Sequence, residues 1–127
     1  MHKGFLLIGA ILGFLGVAFG AFGAHGLRNR LAPEMLAVFE IGVRYQMYHV
    51  FALLITAAAI RHFGPLRLLM IAGWSFIAGT LIFSGSLYAL ALGAPRGLGA
   101  VTPIGGAMFI LGWIAFAVGV ISARTPG

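Results

Sequence analysis

The sequence predicts an all-α integral membrane protein, an up-down four-helix bundle forming one transmembrane domain over residues 1–127. Three observations carry this. Hydrophobic residues make up 61% of the chain and charged residues only 8%, whereas a soluble domain carries about 25% charged residues. Mean hydropathy is +1.09. The apolar residues also fall into four long runs bounded by charge, and four crossings of ~20 residues would use most of the chain. A water-facing surface cannot be assembled from this composition, which excludes a soluble enzyme, a nucleic-acid-binding domain and a disordered tail.

The first run, approximately 4–24, ends before His25, Arg28 and Arg30. With Lys3 ahead of it and small residues near Ala21 and Ala24, it also resembles a signal peptide. Its apolar stretch exceeds the usual core of about 7–15 residues, so it reads as a retained span. The second, 33–61, opens amphipathically at Pro33 and Glu34 and is fully apolar from Val50 to Ile60, so it reads as a long helix. The third, 66–92, follows Pro65. The fourth, 101–123, starts with Thr102 read as a cap and Pro103 in the first turn, and ends at Arg124. Short connections make neighbouring helices antiparallel.

The net charge of +6 comes from basic residues scattered singly along the chain. No stripe of the kind that tracks phosphates forms, so no nucleic-acid partner is expected. Such residues anchor helix ends and set topology. Lys3, Arg61, Arg67 and Arg124 share one end, against Arg28, Arg30 and Arg96 at the other, with Glu34 and Glu40 nearby. That count places both termini in the cytoplasm. Absence of cysteine excludes disulfides, thiolate nucleophiles and cysteine-held metals.

Helices in lipid associate through close packing, because lipid tails are as apolar as Leu. Gly9, Gly13, Gly16, Gly20 and Gly23 make one small-residue stripe on the first helix. Gly105, Gly112, Ala115, Gly119 and Ser122 repeat the device on the fourth, and Ser75, Gly79 and Ser86 share a face of the third. These stripes are expected to be helix contacts.

Polar residues gather at the end of the bundle away from the N-terminus. His25 closes the first helix; Glu40, Arg44, Tyr45, Gln46, Tyr48 and His49 lie on the second; Ser84, Ser86 and Tyr88 end the third; Thr102 begins the fourth. Such groups inside a span point into the bundle or into a wet cavity. One reading is a self-satisfying network, with Arg44 paired to Glu40 four residues before it and His49 bonded to a neighbouring Tyr or Ser. The other is a ligand or ion pocket.

Catalytic chemistry has little to work with. There is no Asp, no strand precedes Ser84 or Ser86 as a nucleophile elbow requires, and no Lys follows Gly105-Gly106 to make a phosphate loop. Ser84-Gly85-Ser86 reads as a close backbone crossing. The chain is expected not to be an enzyme and to carry neither metal nor cofactor.

GAFGAHGL (Gly20 to Leu27), YQMYH (Tyr45 to His49), FSGSLY (Phe83 to Tyr88) and TPIGG (Thr102 to Gly106) resemble, in order and over essentially the whole chain, the domain-of-unknown-function 423 family. That family includes bacterial inner-membrane proteins and the eukaryotic transmembrane protein 256. The resemblance implies a small inner-membrane protein of about four helices and brings no activity, substrate or cofactor.

Three functions remain. A structural or accessory subunit, packing against itself or a larger membrane complex, ranks first. A transporter, channel or ligand-binding protein with a vestibule around Arg44, Gln46, Tyr48 and His49 is second. A metal or haem protein using His25 and His49 is third.

Overall fold

The computed structural model describes residues 2–124 and is helical throughout. Helix α1 spans His2–His25 and α2 spans Pro33–Phe63. The third crossing consists of α3 (Arg67–Gly79), a π-turn (Thr80–Ser84) and α4 (Gly85–Ala91). A 3-10 turn, Arg96–Ala100, leads into α5, Thr102–Ser122. All four crossings are long and apolar enough to span a bilayer, so this is a multi-pass membrane protein.

Turn chemistry sets the ends. Pro33 sits in the first turn of α2, where its missing N–H costs nothing. Gly64, at φ 93°, closes α2 ahead of Pro65, and Gly93, at φ 108°, follows α4 ahead of Pro95; only glycine takes that conformation freely. Thr102 does not cap α5, whose first turn has no side-chain cap. Its hydroxyl is used across the bundle instead.

The four crossings are not equivalent. α1 packs along α2, α5 packs along α3 and the π-turn, and α2 packs on α3 and α4. α2 and the third crossing therefore form an inner pair flanked by α1 and α5. Within an 18-residue apolar stretch of each crossing, half the residues of either inner crossing are buried inside the molecule, against 22% in α1 and 28% in the last crossing. The flanking helices turn Phe14, Val17, Ile110, Ile114 and Ile121 outward to lipid.

Glycine decides how closely these helices approach. A Cβ added at Gly9, Gly13, Gly16, Gly20 or Gly23 would meet Leu54, Val50, Met47, Val43 or Phe39 respectively, so the whole α1 stripe lies on α2. Gly79 lies under Phe109, Gly105 against the Phe83 backbone, Gly112 under Phe76 and Gly119 on Leu68 and Leu69, which joins α5 to the third crossing. Ser122 is exposed. Gly85, read as a close crossing, faces open space; the crossing is at Gly42, where Tyr88 and the Ser84 carbonyl approach α2. At the N-terminal end the core is apolar, with Phe5, Leu53, Ala57, Ile60, Leu69 and Ile77 buried together.

Candidate functional site

Gln46 and His49 anchor two separate polar networks on different faces of α2, while buried Thr56 bonds within its own helix to the Ala52 carbonyl. Residues 46 and 49 are three positions apart, so their side chains diverge by about 60° around the helix. Gln46 turns toward α1 and α4, and His49 toward α3 and α5.

In the first network, Gln46 Nε2 donates to the Leu12 carbonyl at 2.7 Å and Tyr88 Oη donates to Gln46 Oε1 at 2.6 Å. The carbonyl accepts only, which fixes the orientation of the amide. The Tyr88 ring is held between Phe19 and Phe39, with centroids at 5.2 and 4.9 Å. Beside it, Ser84 Oγ donates to the Gly42 carbonyl at 2.7 Å. The π-turn aims Ser84 at α2, while Ser86, two residues on, reaches α5. Ser86 Oγ donates its one proton to the Phe83 carbonyl, so Thr102 must donate to Ser86 in the bond that joins the two hydroxyls.

The second network centres on His49. Trp113 Nε1 donates to His49 Nε2 at 3.1 Å, and His49 Nδ1 lies 2.8 Å from the Tyr45 carbonyl. An indole N–H can only donate, so Nε2 is unprotonated and the ring proton sits on Nδ1, facing the carbonyl. The imidazole also stacks on Phe109, with centroids 3.5 Å apart and planes 7° from parallel. Beside it an open cleft of about 530 Å³ between α2 and α5 is lined by Tyr45, His49, Phe83, Phe109, Ile110 and Trp113, among others.

Several expectations change here. The polar groups do not all gather in one leaflet: His49 lies at the centre of the 31-residue α2, and Gln46 bonds Leu12 near the middle of the 24-residue α1. His49 bonds a backbone carbonyl and a tryptophan, not a Tyr or Ser side chain. No single vestibule joins Arg44, Gln46, Tyr48 and His49, because Arg44 and Tyr48 are exposed while Gln46 and His49 are buried in separate networks. Arg44 and Glu40 border a shallow surface groove over the α1–α2 contact. Tyr45 is partly exposed and packs on Tyr48 and Phe83.

His25 and His49 also stay apart. Gly23 faces Phe39 and Gly13 faces Val50, which sets His25 roughly 12 residues, or about 18 Å, along α2 from His49. His25 is exposed, and both ring nitrogens of His49 are engaged. The pair cannot share a metal or haem. Among the described residues, no group of three or more His, Cys, Asp or Glu could hold a metal ion.

Trp113, Phe109 and Gly42 belong to these networks and escaped the sequence reading. Trp113 carried a signal: tryptophan favours the membrane interface, and one at the middle of α5 needs an internal acceptor. Replacing His49 with Leu removes that acceptor. We expect destabilisation of about 1–3 kcal/mol and, of the two indole N–H resonances, a shift in that of Trp113 with Trp74 unmoved, readable by NMR in detergent.

The family described as Protein of unknown function (DUF423) matches residues 19–106, a segment that includes Gln46, His49, Ser84, Ser86, Tyr88 and Thr102 but not Leu12, Phe109 or Trp113. The chain belongs to this family. It is similar to the UPF0382 membrane protein YwdK of Bacillus subtilis (strain 168), 41% identical over 94% of this chain and 97% of that protein. It is also similar to a UPF0382 membrane protein of Haemophilus influenzae, 39% identical over 98% and 99%, and to the UPF0382 inner membrane protein YgdD of Escherichia coli (strain K12), 41% identical over 96% and 92%. No solved structure matches. As a DUF423 protein, the chain is a small multi-spanning membrane protein whose relatives' names assign no activity.

Proposed function

We propose that this DUF423 protein is a non-enzymatic structural or accessory subunit of the inner membrane, both termini cytoplasmic, that packs against itself or a larger membrane complex. The observation that carries the reading is the closure of the interior polar network. Gln46, Tyr88, Ser84, Ser86, Thr102, His49 and Trp113 bond one another or backbone carbonyls, and among the described residues no buried side-chain N or O atom lacks a partner. A permeation path or reaction centre needs polar groups free to meet a solute. Those available here already act as pins between helices. The outer faces of α1 and α5, rich in large apolar side chains, offer broad surfaces to lipid or to another helix.

The test is the native mass of the particle extracted from its own membrane at native expression level. A stoichiometric assembly, with other chains or with copies of this one, is the expected result. A monomeric particle that catalyses solute flux in proteoliposomes would overturn the proposal.

A further inference from the structure

At the end of the bundle away from the N-terminus a cleft of about 610 Å³ opens between the start of α2 and the end of the third crossing. Its walls are Met35, Val38, Leu87 and Leu90, and two opposite charges stand on it: Glu34 from the first turn of α2 and Arg96 from the first residue of the 3-10 turn. Both charged side chains are exposed. The 31 residues of α2 make a helix about 46 Å long, against a hydrocarbon core of ~30 Å. Its first turns, with Glu34, therefore stand in the headgroup layer.

We propose that this cleft seats a phospholipid with a primary-ammonium zwitterionic headgroup, of the phosphatidylethanolamine class. The charges are complementary in kind: the Arg96 guanidinium suits a phosphate bidentately, and the Glu34 carboxylate accepts N–H bonds from an ammonium. The apolar walls below receive the upper part of an acyl chain, which distinguishes a lipid from a soluble zwitterion. The site is independent of the two interior networks and of the subunit reading.

The experiment measures thermal unfolding of the full chain in detergent micelles with added phosphatidylethanolamine, phosphatidylcholine or phosphatidylglycerol of identical acyl chains. The choline headgroup has a cation without N–H, and the glycerol headgroup has no cation. Phosphatidylethanolamine should raise Tm by roughly 4 °C more than either of the others. Glu34→Gln should lower its effect to that of phosphatidylcholine, and Arg96→Gln should reduce the effect of all three. Ala94→Phe, which fills the cleft and leaves both charges in place, should abolish the increment. Equal shifts from the three lipids on the unmodified protein would overturn the proposal, even if a variant failed to fold. So would an ethanolamine increment that survives both charge substitutions, or soluble phosphoethanolamine reproducing the whole shift.

Discussion

Gly105→Ala should destabilise the bundle by about 3 kcal/mol or more, the size expected when an inserted methyl meets a neighbour that cannot yield. A Cβ at position 105 would stand against the Phe83 backbone nitrogen and 2.8 Å from its Cα. A side chain can change rotamer; here the obstacle is the backbone of the π-turn. Relief requires α5 to move off the third crossing, which would loosen Gly112 from Phe76 and Gly79 from Phe109. Gly85→Ala is the matched control, since Gly85 has helical φ −59° and ψ −44° and a Cβ there meets nothing within 4 Å. It should be neutral or stabilising by about 0.5–1 kcal/mol, from the helix propensity of alanine. Unfolding in graded SDS, followed by circular dichroism, separates the two. Similar losses from both would refute the close approach at Gly105.

Gln46→Leu should cost about 2 kcal/mol, because it removes the acceptor of the buried Tyr88 hydroxyl together with the donor to Leu12. Tyr88→Phe should cost a similar amount by leaving Gln46 Oε1 without its donor. The double substitution should be less destabilising than the sum of the singles by about 1 kcal/mol or more, since no half-satisfied group remains between the two sites. The same SDS titration on the four proteins of this cycle gives the coupling, and strict additivity would mean that the bond contributes nothing. A large effect is expected because Gln46 ties three crossings together at the centre of the bundle. Such a residue serves assembly of the fold directly, in keeping with the subunit proposal.

Much of the fold was legible in the chain. Four crossings, their connections and the facing of the α1 glycines follow from composition and from small residues recurring every three or four positions, because helical period and bilayer thickness leave few alternatives. The candidate site was legible in kind only. The sequence singled out Gln46, His49, Ser84, Ser86, Tyr88 and Thr102 as polar groups that must be bonded, but their partners could not be read. Gln46 and His49 lie three residues apart and look like neighbours, yet they serve different helix pairs. Which face of α2 meets α1 and which meets α5 depends on the order of helices around the inner pair, and hydropathy does not encode that order. The π-turn adds to this by changing the direction of Ser84 and the residues after it, without any proline to mark it. Helix number, span and small-residue faces thus follow from local periodicity. The pairing of Trp113 with His49, of Tyr88 with Gln46 and of Thr102 with Ser86 is set by contacts across 64, 42 and 16 residues, and those exist only once the helices have packed.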